Sequence, residues 1–82
     1  MMSKDVVLTR VAAIVSTLAD VYGSPESMLY ILCDMNMDDW EIIRDILIRA
    51  DFVSITGHYV TLTENGKAMA VIINSAISKV NV

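Results

Sequence analysis

The stretch from Ile43 to Lys67 constrains the fold of this chain more than any other part of the sequence. Helical periodicity gives way to two segments of alternating polarity, Phe52 to Thr56 and Tyr59 to Leu62, joined by Gly57-His58. A two-residue loop with glycine first predicts a β-hairpin closed by a type II′ turn. Thr63 follows as the N-cap of another helical pattern. The predicted order here is therefore helix, hairpin and helix.

Two more helices are predicted in the first half of the chain. The first runs from about Lys4 to Tyr22, with Ser3 as its N-cap, and ends at Gly23. The tripeptide Ser24-Pro25-Glu26 then begins helix 2, with serine as N-cap, proline at the first helical position and an acid in the first turn. These capping residues define the helix boundaries more sharply than the apolar pattern does.

Apolar residues at helical spacing indicate which faces of the helices are buried. Helix 2 is expected to extend to about Cys33, and helix 3 to run from about Asp38 to Ala50. Tyr22 and Phe52 are expected to be aromatic core anchors. The other core side chains predicted from the pattern are Met28, Leu29, Ile31 and Leu32 of helix 2, Trp40, Ile43 and Leu47 of helix 3, and Val53, Ile55, Val60 and Leu62 of the hairpin.

The chain is unusually apolar for its length. Of its 82 residues, 55% are hydrophobic and 20% are charged, where about 45–50% and about 25% are typical. A single domain over residues 1–82 should bury only a little over ~60% of its unfolded surface, so we expect a homodimer that covers the excess through helices 1 and 4. The residues assigned to this contact are Val7, Val11, Ile14, Val15, Leu18, Met69, Ile72, Ile73 and Ile77.

Composition also excludes several classes of function. One cysteine and one histidine cannot supply a disulfide framework or the ligands of a structural zinc site. The sequence has no glycine-rich phosphate loop and no nucleophile motif, so no enzyme activity, metal or cofactor is predicted. No apolar run approaches the ~20 residues that span a bilayer. We expect no membrane partner and a cytoplasmic location.

The region from Trp40 to Gly66 resembles the recognition helix and wing of winged-helix regulators related to the MarR and PadR groups. The resemblance rests on element order and on Leu62-Thr63-Glu64-Asn65-Gly66, a helix start that follows the strand pair. It implies an α+β, mainly helical fold with a three-helix core, a two-stranded β-wing and a C-terminal helix. It also implies dimers that place helix 3 in the major groove of double-stranded DNA.

The resemblance further implies which residues face nucleic acid or another partner. They are Asp38, Asp39, Glu41, Arg44, Asp45 and Ile48 on helix 3, Thr56, Gly57, His58 and Tyr59 at the wing tip, and Lys67. Charge argues against DNA, because from Asp38 to Asp51 five acids accompany only two bases, a net charge of −3. The whole chain carries −4, whereas phosphate recognition depends on Lys and Arg.

Two hypotheses for function follow from these observations. In the first, the chain is a dimeric transcription regulator that contacts DNA through Arg10, Arg44, His58 and Lys67. In the second, it is an adaptor or inhibitor that does not bind DNA and uses the acidic face of helix 3 on a basic protein partner.

The acids of helix 3 also have an ordinary structural interpretation. Asp38 and Asp39 suit a helix N-terminus, and Asp45 can pair with Arg49 one turn later. Arg44 can likewise serve as a surface base that relieves repulsion between its acidic neighbours.

Overall fold

The computed structural model describes the backbone of residues 3–80 and the side chains of residues 3–76. Over these residues the fold is α+β and mainly helical, with four helices and a small antiparallel sheet. In chain order its elements are α1 (Lys4–Val21), β1 (Ser24–Pro25), α2 (Glu26–Leu32), α3 (Met37–Arg49), β2 (Val53–Thr56), β3 (Tyr59–Leu62) and α4 (Glu64–Val80).

The sheet has three strands in the order β1-β3-β2, so the prediction of a two-stranded β-wing was wrong on strand number, although β2 and β3 form the predicted hairpin. Ser24 pairs with Val60 and Pro25 with Tyr59. Ser24-Pro25 is therefore a short edge strand, and α2 begins one residue later than predicted, at Glu26. Proline suits an edge strand because it has no N–H to give to a further neighbour. Pro25 also serves as the N-cap of α2, without a side-chain capping bond.

The hairpin register follows the predicted pattern. Val53 pairs with Leu62 and Ile55 with Val60, and Val53 and Val60 are buried. The turn differs from the prediction, because both Gly57 (φ 54°) and His58 (φ 69°) lie at positive φ. Positive φ at both central positions is the signature of a type I′ turn, whose twist matches the twist of the flanking strands.

The start of α4 packs tightly against the end of α3. Thr63 caps α4 as predicted, since its Oγ1 accepts a hydrogen bond of 3.1 Å from the amide of Gly66. A Cβ atom at Gly66 would lie 2.0 Å from the carbonyl oxygen of Phe52. The backbone of α4 approaches the chain after α3 so closely that no side chain fits at Gly66.

The core is formed where α1, α3 and the sheet meet. The prediction for α3 is confirmed, because Trp40, Ile43 and Leu47 are all buried. Around them lie the other buried hydrophobic residues, which are Ile14, Val15, Leu18, Leu29, Met35, Val53, Val60 and Ala70. Ile55, Phe52, Leu62 and Cys33 are partly buried against this cluster.

Two predictions about the core were wrong. In α2 only Leu29 of the expected apolar residues is buried, whereas Met28 (54%), Ile31 (67%) and Leu32 (59%) are exposed. A helix of two turns presents one narrow stripe to the core, and Leu29 shares that stripe with Glu26. Tyr22 is 88% exposed because it ends α1 in a left-handed conformation, with φ at 64°.

The described side chains assigned to a dimer contact fall into three groups. Ile14, Val15 and Leu18 are buried within the chain, because α1 packs on α3 and α4 of the same chain. They offer no surface to a partner in this conformation. Ile72 is 61% exposed. Val7, Val11, Met69 and Ile73 are half-buried against the core, and the side chain of Ile77 lies outside the described residues.

Candidate interaction surface

The outward face of α3 carries exposed acids, as predicted. The helix begins at Asn36, whose Oδ1 accepts a hydrogen bond of 2.8 Å from the amide of Asp39. Asn36 therefore caps the helix, while Asp38 and Asp39 lie in its first turn near the positive end of the helix dipole. The side chains that form this surface, called the acidic α3 face below, are Asp38, Glu41, Ile42, Asp45 and Ile48, all exposed.

The bases predicted to contact DNA are paired with carboxylates of the same chain. Arg10 Nη1 lies 2.6 Å from Asp39 Oδ2, and Lys67 Nζ lies 3.5 Å from Glu64 Oε1. The predicted pair of Arg49 and Asp45 is confirmed, with Nε and Oδ2 at 3.1 Å. These pairs are partly or fully solvated, so each contributes little to stability, but each offsets a positive charge.

The side chain of Arg44 pairs with an acid of α2 and not with its acidic neighbours on α3. Its Nη1 donates a hydrogen bond of 2.9 Å to Oε1 of Glu26, at the start of α2. The side chain is 38% exposed, whereas that of Glu26 is 11% exposed. The guanidinium group of Arg44 is thus directed toward a nearly buried carboxylate.

Glu26 is the centre of a network that joins α2, α3 and the hairpin. Besides Arg44, its Oε1 accepts a hydrogen bond of 3.0 Å from Trp40 Nε1. His58 Nδ1 lies 3.0 Å from Oε2, and because an ionised carboxylate only accepts, the imidazole nitrogen is the donor. The backbone amide of Glu26 also donates to the carbonyl of His58 at 2.8 Å.

The network strongly favours the ionised form of Glu26. Burial alone would raise the pKa of the carboxyl group, because a low dielectric disfavours charge. Hydrogen bonds from Arg44, His58 and Trp40 outweigh burial and lower the pKa of Glu26 from 4.5 to about 2. The group is therefore a charged, fully partnered anchor and not a proton donor at neutral pH.

From the sequence, Glu26 is predicted only as an acid in the first turn of a helix. No local pattern reveals its role, because Arg44 lies on α3 and His58 lies in the hairpin, both far from Glu26 along the chain. The pairing of β1 with β3 brings His58 beside Glu26. A single buried tryptophan that needs an acceptor was the one available signal.

The other predicted residues lie at the hairpin tip and on α4. Thr56, Gly57, His58 and Tyr59 cluster at the tip and are exposed, and the His58 side chain is 90% exposed. Lys67 lies on α4 and lines a cleft of about 530 Å³ between α1, β3 and α4. Ile48 is 49% exposed near the C-terminal end of α3.

A second cleft, of about 280 Å³, lies beside the Glu26 network. We call it the α2–α3 cleft, and its lining residues are Pro25, Glu26, Ser27, Tyr30, Met37, Trp40, Glu41, Arg44 and His58. The rings of Tyr30 and Trp40 are tilted by 32° with centroids 6.4 Å apart. The cleft thus combines aromatic and charged groups from both helices and the hairpin tip.

No protein-family model and no curated protein matches this sequence. Among the described residues, no group of three His, Cys, Asp or Glu side chains is placed to hold a metal ion. Within the same part of the chain, no helix has both the length and the apolar character needed to cross a membrane.

Proposed function

We propose that this chain is a protein-binding domain of the winged-helix type, acting as an adaptor or inhibitor on a partner with a basic surface. The observation that carries the proposal is the pairing of Arg44 with Glu26, which gives this base a counter-charge within the chain while Asp38, Glu41 and Asp45 stay exposed. The winged-helix assignment is supported by the element order, in which a hairpin directly follows α3 and precedes a long helix.

Charge makes DNA an unfavourable partner for this surface. DNA binding gains free energy when Lys and Arg neutralise phosphates and release counterions. Arg10, Arg44 and Lys67 each lie beside a carboxylate of the same chain. On binding DNA, each of these bases would only replace a carboxylate partner with a phosphate. The exposed acids of α3 would also repel the phosphate backbone. A basic protein is a more favourable partner for this surface, because complementary charge accelerates association and contributes to specificity.

A comparison of two probes tests the proposal. The wild type is titrated at low salt with mixed-sequence duplex DNA and with a lysine-rich peptide. We expect salt-sensitive binding of the peptide and none of the DNA. The variant D38N/E41Q/D45N should lose peptide binding, whereas D5N/D20N/E64Q, which removes the same charge elsewhere, should retain it. Binding of DNA by the wild type, or equal behaviour of the two variants, would overturn the proposal.

A dimeric DNA-binding transcription regulator is the second candidate function. It is favoured by the position of the hairpin tip, where the largely exposed His58 contacts Glu26 beside α3. A wing next to a recognition helix would have the same position. This candidate requires DNA binding that weakens steeply with salt and is lost in Arg44→Ala. The same DNA titration therefore decides between the two functions.

Both functions are proposed to operate in a homodimer. Exposed apolar side chains on the two terminal helices support this, with Leu8 57%, Val71 66% and Ile72 61% exposed. Covering such surface is favourable at roughly 25 cal/mol per Å². The proposed dimer contact therefore includes fewer of the residues assigned from the sequence, because Ile14, Val15 and Leu18 are already buried within the chain.

A further inference from the structure

The α2–α3 cleft has the lining of a pocket for one large apolar side chain. Its volume of about 280 Å³ is close to the lower limit of about 300 Å³ for small-ligand sites. Tyr30, Met37 and Trp40 supply apolar walls, and Met37 is 58% exposed although it is apolar. The cleft therefore leaves uncovered apolar surface that an incoming side chain would bury.

One boundary of the cleft is held in place by the Glu26 network. Glu26 accepts hydrogen bonds from Trp40, Arg44 and His58, and all four residues line the cleft. Binding to a preformed pocket loses less conformational entropy than binding to a mobile one. The cleft is thus better suited to an anchoring contact than the exposed outer side of α2.

The charge at the cleft is set by Glu41. Arg44, which also lines the cleft, is paired with Glu26. Glu41 is exposed and makes no ion pair with the other residues described in the structure. An occupant that brings a positive charge beside its apolar group would therefore gain a partner for that charge.

We infer that the α2–α3 cleft receives a segment of a partner protein in which a large apolar residue lies next to a Lys or Arg. The apolar side chain enters between Tyr30 and Met37, and the basic side chain pairs with Glu41. This inference rests on the proposed function and names the chemistry of the partner. A second copy of the chain is a less favourable occupant, because its approach would bring two acidic α3 faces together.

Selection from a phage-displayed library of random peptides on the immobilised wild type tests this inference. The selected peptides should combine a large apolar residue with an adjacent Lys or Arg. One selected peptide is then synthesised and titrated against variants. Met37→Ala and Glu41→Lys should each weaken its binding by at least about tenfold, as expected for a central anchor and its charge partner.

Two matched controls accompany these variants. Ile31→Ala removes a similarly exposed apolar side chain of α2 that does not line the cleft. Asp20→Lys makes the same change of charge as Glu41→Lys, at an exposed position on α1. Both controls should stay within about twofold of wild type, as surface residues outside a contact do.

The outcomes separate the inference from the proposed function. If the selected basic peptides bind Met37→Ala normally but do not bind D38N/E41Q/D45N, the proposed function stands and the cleft assignment is overturned. Peptides without basic residues, or no selected peptide at all, would overturn both. If the wild type is a dimer that Met37→Ala dissociates, the occupant is a second copy and the inference fails.

Discussion

Oε1 of Glu26 lies 2.9 Å from Nη1 of Arg44, an ion pair that joins the first turn of α2 to the middle of α3. The carboxylate is nearly buried and the guanidinium is partly solvated. The same oxygen accepts the indole N–H of Trp40. The pair therefore links the acidic α3 face to the core and, through His58, to the hairpin tip.

Replacing Glu26 with Gln should lower the free energy of unfolding by about 1–3 kcal/mol. The amide keeps the size of the side chain but leaves Arg44 without its counter-charge. Urea unfolding followed by fluorescence of Trp40, the single tryptophan, measures this change. Glu41→Gln, an exposed acid on α3, should stay within about 0.5 kcal/mol of wild type. Equal losses in both variants would contradict the role given to Glu26.

Acid should weaken the wild type through Glu26. The pKa of this group is 4.5 unfolded and about 2 folded, so between these values the unfolded chain binds more protons. The stabilisation from Glu26 is complete above pH ~4.5 and is lost as pH falls toward ~2, with an upper limit of about 3 kcal/mol. The difference in unfolding free energy between wild type and Glu26→Gln, measured against pH, should therefore shrink below pH ~4.5. A difference that stays constant down to pH ~2.5 would show that Glu26 has an ordinary pKa.

Gly66→Ala should destabilise the chain more than Gly57→Ala. At Gly66 the new methyl group would clash with the Phe52 carbonyl oxygen, and backbone movement of this kind costs about 3 kcal/mol. At Gly57 the space is open, so the cost is the left-handed conformation alone, about 1–2 kcal/mol. Thermal unfolding of the two variants gives the order. The reverse order would mean that α4 does not approach Phe52 so closely.

Ile72→Glu should dissociate the proposed homodimer without unfolding the chain. Ile72 is exposed on α4, so a charge there disrupts a contact between chains and not the core. Sedimentation should show a wild-type dimer at micromolar concentration and a monomeric variant. Ile31→Glu, at a similarly exposed residue of α2, serves as the control and should remain dimeric. A monomeric wild type would remove the homodimer from the proposal.

The elements that depend on local signals could be predicted from the sequence. The bounds of β3 agree with the alternating pattern, and those of α3 fall within one residue of the prediction. Thr63 was recognised as a cap because its effect acts within one turn. Trp40, Ile43 and Leu47 were recognised because thirteen residues of α3 are long enough to show a helical period.

The features that depend on distant residues could not be predicted. A strand as short as β1 has no period of its own and exists only through Val60 and Tyr59 of β3. Apolar residues lie on several sides of the two-turn helix α2, so their pattern does not indicate which side faces the core. The partners of Glu26 depend on both facts, so the network at the centre of the candidate site could not be predicted.

The pairing of β1 with β3 gives the site a spectroscopic reporter. The amide of Glu26 donates to the carbonyl of His58, so its proton exchanges with solvent only when the hairpin tip separates from α2. Its exchange rate therefore records how often this edge of the sheet opens. Occupancy of the neighbouring cleft would slow that opening and could be followed at a single nuclear resonance.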